Sequence, residues 1–164
     1  MADKKIMISD THNADSRTAD SDFTIDDLRE ATKIHIKEVG ECMDFFADKI
    51  HEAGIIHDWT KMDNFSEAYG PLVMSGVTDD EFRADPWYET HIYTERHHID
   101  EDAKTDLNLV DVIEKICDTV TAGKGRAGHL SSKYIDVDPM LLYRAYWNTV
   151  RMLDEATEVV KEDE

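Results

Sequence analysis

The sequence predicts an all-α protein, and three observations predict it. Apolar residues recur at three- and four-residue steps through several windows, the pattern of helices that bury one face. Strict alternation of apolar and polar residues, the mark of a half-buried strand, is scarce. Several of the periodic windows open on Thr, Asp or Pro, as helix starts do. A chain of 164 residues with a hydrophobic share of 41% can build one real core. The expected architecture is a compact single-domain bundle of five or six helices over residues 23–164. A flexible polar arm over residues 1–22 precedes it, and neither an internal repeat nor a domain linker is visible.

The elements follow in order. Thr24-Ile25-Asp26-Asp27 resembles a capping box. Behind it Leu28, Ala31, His35, Val39, Cys42, Phe46 and Ile50 form one stripe, so a long helix is expected to end near Gly54. A second helix from about His57 carries Met62, Phe65 and Tyr69 until Gly70-Pro71 interrupts it. Residues 75–86 read as an acidic loop with a helical turn over 79–84. Pro86 suits the first turn of a third helix, through about His98. After a charged connection over 99–104, Asp106 can cap a fourth helix with Leu109, Val110, Ile113, Ile116, Cys117 and Val120 on its apolar side. Gly123, Gly125 and Gly128 mark a flexible loop. Asp138-Pro139 opens a last helix with Leu142, Tyr146, Val150, Leu153, Thr157 and Val160.

Charge bounds the function. The net charge is -19, from 37 acidic and 18 basic residues. Passive binding to duplex nucleic acid or to an anionic membrane is excluded as a main activity. The acids are spread along the chain, which suggests a halophilic source whose salt screens the self-repulsion. No apolar run reaches the length of a membrane span, and no secretory h-region is visible. Cys42 and Cys117 both lie on apolar stripes and read as buried free thiols. The expected location is the cytoplasm, or a host's cytoplasm for a phage protein.

Histidine carries the chemical signal. Of eight histidines, His35 sits on the expected buried stripe, and His57-Asp58 forms a doublet after an apolar run. His91, Glu95 and His98 fall at i, i+4 and i+7 and so share one helix face, with His97 beside them. Neutral imidazole and carboxylate are what a hard or borderline divalent metal takes as ligands. In the fourth helix Asp111, Glu114 and Asp118 line one face opposite the apolar side. A solvated acidic face explains them as well, and periodicity does not choose Asp118 over Asp111.

The order His…His-Asp…Asp over separate helices resembles the HD superfamily of metal-dependent phosphohydrolases, and most closely its small phage and prokaryotic members. The segments that carry the resemblance are HDWTK, FSEAYGPL, PWYETHIYTERHH and DLNLVDVIEKICD, within residues 28–126. The resemblance implies His35, His57, Asp58 and Asp118 as ligands of a divalent ion such as Mn, Co, Ni, Zn, Fe or Mg. It implies a metal-activated water and a small phosphorylated substrate, a nucleotide first of all. Lys61 stands where many HD nucleotidases carry a glutamate, which leaves the general acid open. Lys61, His91, His98 and Glu95 are the catalytic candidates. His91 and His98 either hold a second ion or donate a proton to the leaving oxygen. Arg96, His97, Lys124 and Arg126 are the candidate substrate contacts. Two alternatives stand beside the hydrolase: a di-iron oxygenase, which some HD folds are, and a non-catalytic acidic helical protein that binds metal or a partner. A homo-oligomer is compatible with all three.

Overall fold

The computed structural model describes residues 5–10, 22–99, 104–130 and 137–160. The rest of the expected N-terminal arm, and residues 100–103 of the charged connection, lie outside them. The chain is mostly helical, as the sequence predicts. It divides into two units, Met1–Lys49 with Val150–Glu164, and Ile50–Thr149.

The first unit holds a feature the sequence did not announce. Strand β1 (Ile6–Ser9) pairs in parallel with strand β2 (Thr157–Val160), in the register Ile6 to Thr157 through Ser9 to Val160. Residues 6–9 are therefore not a loose arm, and residues 157–160 do not continue the last helix. Both segments are rich in Ile, Val and Thr, side chains that suit a pleated surface better than a helix. Helix α1 (Ile25–Ile56) opens on the expected box: Thr24 N–H donates to Asp27 Oδ2 at 3.0 Å and Asp27 N–H to Thr24 Oγ1 at 3.2 Å. Its buried positions in this unit are Ala31 and Glu38, and Glu38 Oε1 accepts the Ser9 N–H at 2.6 Å. His35 is exposed, a correction to its expected place on a buried stripe.

The second unit contains the last turns of α1, then α2 (Trp59–Met62), α3 (Tyr69–Met74), α4 (Asp79–Arg83), α5 (Pro86–Thr94), α6 (Leu109–Ala127) and most of α7 (Pro139–Ala156). Gly70-Pro71 lies inside the first turn of α3 rather than interrupting a helix. Pro is tolerated there because its missing N–H would have no intrahelical partner. A Cβ at Gly70 would stand 2.9 Å from the Phe65 carbonyl oxygen, so this close approach requires glycine. Thr78 and Glu81 close a capping box on α4, and Asp85 caps α5 by accepting the Trp87 N–H at 2.8 Å.

Helix α5 ends at Thr94, four residues before the expected end. Helix α6 is capped by Asn108, not Asp106: the Asn108 side chain accepts the Val110 and Asp111 N–H groups while Asp111 accepts the Asn108 N–H. Asp106 instead accepts from Arg96. The expected glycine loop is the end of α6, which runs through Gly123 and Gly125 and stops at Gly128, whose φ of 72° is the left-handed cap. Asp138 starts α7 as expected, accepting the Met140 N–H at 2.9 Å. The buried core of this unit is Ile99, Leu107, Val112 and Ala145, with Leu109, Val137 and Leu141 packed against it. Two polar residues of α7 fasten the entry of α6 to it. Asn148 donates to the Leu107 carbonyl at 2.7 Å, and Thr149 Oγ1 accepts the Leu109 N–H at 2.8 Å. These bonds anchor the first turn of α6, the helix from which Asp111 and Glu114 project.

Candidate metal centre

The His57-Asp58 doublet sits in the turn between α1 and α2. Asp58 holds φ 57° and ψ 26°, a left-handed conformation that costs a non-glycine residue about 1–3 kcal/mol. Its carboxylate makes no cap bond to α2. It is turned sideways, where Oδ2 meets the Lys61 ammonium. Oδ1 is buried with no hydrogen-bond partner. It faces His91 Nε2 at 3.6 Å and His97 Nε2 at 3.7 Å. Burial pushes the Asp58 carboxyl up, but the Lys61 hydrogen bond and charge, with His57 and His97, outweigh it and hold it below the usual range.

The early end of α5 brings these imidazoles together. Three consecutive side chains after Thr94 are each tied to a different residue, one on α2 and two on α6. Glu95 Oε1 accepts the Thr60 N–H at 2.8 Å and its hydroxyl at 2.5 Å. Arg96 forks onto Asp111 at 2.7 and 2.8 Å and reaches Asp106 at 3.0 Å. His97 Nδ1 meets Glu114 Oε1 at 3.1 Å. The backbone is already extended at Glu95, with φ -74° and ψ 128°, where these three ties begin. His98 then folds back with its Nε2 3.0 Å from His91 Nε2.

Second partners set the tautomers. The Thr60 hydroxyl gives its proton to Glu95, so it accepts from His91 Nδ1–H at 2.6 Å. His97 Nδ1 donates to the Glu114 carboxylate, and His57 Nδ1 meets the same oxygen at 2.8 Å. His91, whose Nδ1–H is held by Thr60, therefore turns the lone pair of Nε2 toward Asp58 Oδ1 and His98, and His97 Nε2 faces the same carboxylate oxygen. A lone pair facing a carboxylate oxygen at 3.6 Å, with a second imidazole nitrogen at 3.7 Å from that oxygen, is an arrangement that could hold a cation. Ligands about 2.1 Å from one ion at tetrahedral or octahedral angles stand about 3.0–3.4 Å apart, so small adjustments suffice. His91 and His97 are 3% and 1% exposed. Burial, with Lys61 nearby, lowers His91 to about 4, and burial with His97 and His91 lowers His98 to about 3. Both rings are thus neutral at pH 7, as ligation requires. Trp87 stacks on His91 with ring centroids 5.2 Å apart at 12°, which closes that side.

Three overlapping groups of donors could hold an ion among the described residues: His91, His97 and His98; His57, Asp58 and His97; and Asp58, His91 and Glu95. Of the four ligands the resemblance implies, Asp58 is at the heart of these groups and His57 at their edge. Asp118 lies 3.9 Å from His57 Nε2 and 3.5 Å from the Lys115 ammonium. His35 is in the other unit and in none of the three groups. His91 and His98, expected to hold a second ion or to donate a proton, and His97, expected as a substrate contact, together form one of the groups that could hold an ion. Arg96 is fully engaged by Asp111 and Asp106 and has no free fork for phosphate, and these hydrogen bonds push its guanidinium up. Lys124 and Arg126 are exposed on the last turn of α6 rather than on a closing loop. The acidic side of α6 is not its solvated side: Asp111 is buried, and burial pushes Glu114 up less than His97 and His57 pull it down. The sequence places Glu114 on the acidic face of the fourth helix without a role, and Thr60 carries no signal at all; no local pattern marks a lone threonine or chooses one carboxylate among 37 acidic residues.

The model of a family of unknown function (DUF5662) matches residues 24–162. No curated protein and no solved structure matches the chain. No helix among the described residues is long and apolar enough to cross a membrane.

Proposed function

The chain belongs to DUF5662, a family of unknown function, and from its donor geometry we propose that it is a metal-dependent phosphohydrolase. Asp58, His91, His97 and His98 would hold one divalent ion. The observation that carries this is the buried Asp58 Oδ1, which lacks a hydrogen-bond partner and faces two imidazole nitrogens whose opposite sides are already tied. The resemblance to HD phosphohydrolases in HDWTK and PWYETHIYTERHH supports the reaction class.

A divalent ion at such a site acidifies a water and polarises a phosphate oxygen. The chain's own residues do the rest. Thr60, Glu95 and Glu114 orient the imidazoles, and Trp87 keeps water from the back of His91. Lys61 and Lys115, both only part-exposed, supply the positive charge that a protein of net charge -19 needs beside a phosphate. The substrate class is a phosphate ester or anhydride, with nucleotides the first to try.

The test is phosphate release from a panel of nucleotides and simple phosphate esters with Mn, Co, Ni, Zn and Mg. Turnover that needs a metal and is lost in Asp58→Ala supports the hydrolase. A second reading, a metal site without turnover, draws on the deep burial of His91 and His97; it expects tight metal binding and no product from any of the panel.

A further inference from the structure

We propose that a pocket on the His57 flank of the centre is the recognition subsite for the organic part of the substrate, and that it takes one planar apolar ring. This rests on the hydrolase reading, because it places the phosphate at Asp58 and the rest of the molecule beside it. The pocket measures ≈ 200 Å³. Its walls are Ile50, Ala53 and Gly54 from the end of α1 and Val110, Ile113 and Cys117 from α6. Whole ligands occupy pockets of roughly 300–1,000 Å³, while a cavity of about 150 Å³ accepts benzene, so this one suits a single ring.

Two observations join the pocket to the centre and argue that it is kept open. His57, Glu114 and Asp118 line it, and Glu114 Oε1 also holds His97. A molecule whose phosphate reached Asp58 would thus lay its neighbouring atoms along these walls. Gly54 lies inside α1, where glycine is less stable than alanine. No close approach demands it, since a Cβ there would meet nothing within 4 Å. Its effect is to leave one wall of the pocket without a side chain.

Cys117 is an exposed free thiol on this wall and reports on occupancy. Cys42 is the internal control; burial, with Glu38 and Glu41, pushes its thiol up and slows its alkylation. The wild-type chain is alkylated with iodoacetamide in the presence of phenyl phosphate, methyl phosphate or inorganic phosphate, and peptide masses separate the two thiols. Phosphate release from both esters is followed in parallel. Phenyl phosphate at ten times its Kd should slow Cys117 about tenfold, while the other two leave it unchanged. Gly54→Leu should abolish that protection without lowering the melting temperature. Equal alkylation with all three probes overturns the subsite, as does equal protection by all three or protection that persists in Gly54→Leu; the wild-type labelling decides even where the variant does not fold. Ester hydrolysis without ring-dependent protection sinks the subsite and leaves the hydrolase. Ring-dependent protection with no release from either ester or from the nucleotide panel sinks the hydrolase and leaves a ring-binding pocket.

Discussion

Thr60→Val removes one oxygen and almost no volume, yet Thr60 holds two functional side chains. Its hydroxyl accepts from His91 Nδ1 at 2.6 Å and donates to Glu95 at 2.5 Å, and all three residues are buried. Valine leaves the His91 Nδ1–H without an acceptor and takes one of two Thr60 bonds from Glu95, which keeps the backbone N–H at 2.8 Å. A buried polar group left unpaired costs about 1–3 kcal/mol, and the weakened Glu95 adds about 0.5–1.5 kcal/mol. The sum, about 1.5–4.5 kcal/mol, should lower the melting temperature by about 3–15 °C for a chain of this size. Loss of a partner that orients a metal-bound histidine costs about 10–100-fold in affinity, so Co or Zn binding should weaken by that factor. Calorimetric melting and equilibrium titration of the metal-free protein read the two effects. Thr90→Val is the control, because the Thr90 hydroxyl makes only an exposed bond to the Pro86 carbonyl at 2.9 Å. Unchanged metal affinity in Thr60→Val, or an equal loss in both variants, would refute the claim that Thr60 sets the His91 tautomer.

Further outcomes separate structural from functional carboxylates. Asp111→Asn breaks a buried bidentate pair with Arg96 and should cost about 1.5–3 kcal/mol of stability in denaturant melts, while the folded protein keeps its metal. Glu114→Gln should weaken metal binding about 10–100-fold because Oε1 orients both His57 and His97; isothermal titration reads it, and a wild-type affinity would exclude that role. Lys61→Ala should keep the metal stoichiometry and raise the Kd for inorganic phosphate by about tenfold, within the range for a charge-assisted hydrogen bond. With a net charge of -19, the melting temperature should rise from low to molar KCl as screening relieves repulsion; a flat or falling trend contradicts adaptation to salt.

The local signals were the legible ones. The Thr24–Asp27 box, Pro86 in the first turn of α5 and Asp138 before α7 each act within four residues, and the sequence showed them. The His57-Asp58 doublet and the histidines near 91–98 stand out by composition, and both supply donors to the groups that could hold an ion. What failed were inferences from one helical period carried too far. A continuous α5 would put His91, Glu95 and His98 on one face; instead His98 meets His91 at 3.0 Å beyond the helix end, and Glu95 joins His91 through Thr60. Distant partners cannot be read from spacing, and the same holds for β1 and β2, whose pairing joins residues 6–9 to 157–160. Gly123 and Gly125 promised a loop, but at about 1 kcal/mol each their cost did not end α6. Asp106 and Asn108 were both good caps; Arg96 took the first, and Asn108 with Asp111 closed the box.

Diffraction from crystals grown with Co or Zn, recorded at the metal's absorption edge, identifies the donor set. One anomalous peak is expected within about 2.0–2.3 Å of Asp58 Oδ1 and the Nε2 atoms of His91, His97 and His98. A peak held by His35, His57, Asp58 and Asp118 without His91 and His98, or no stoichiometric ion at all, would contradict it.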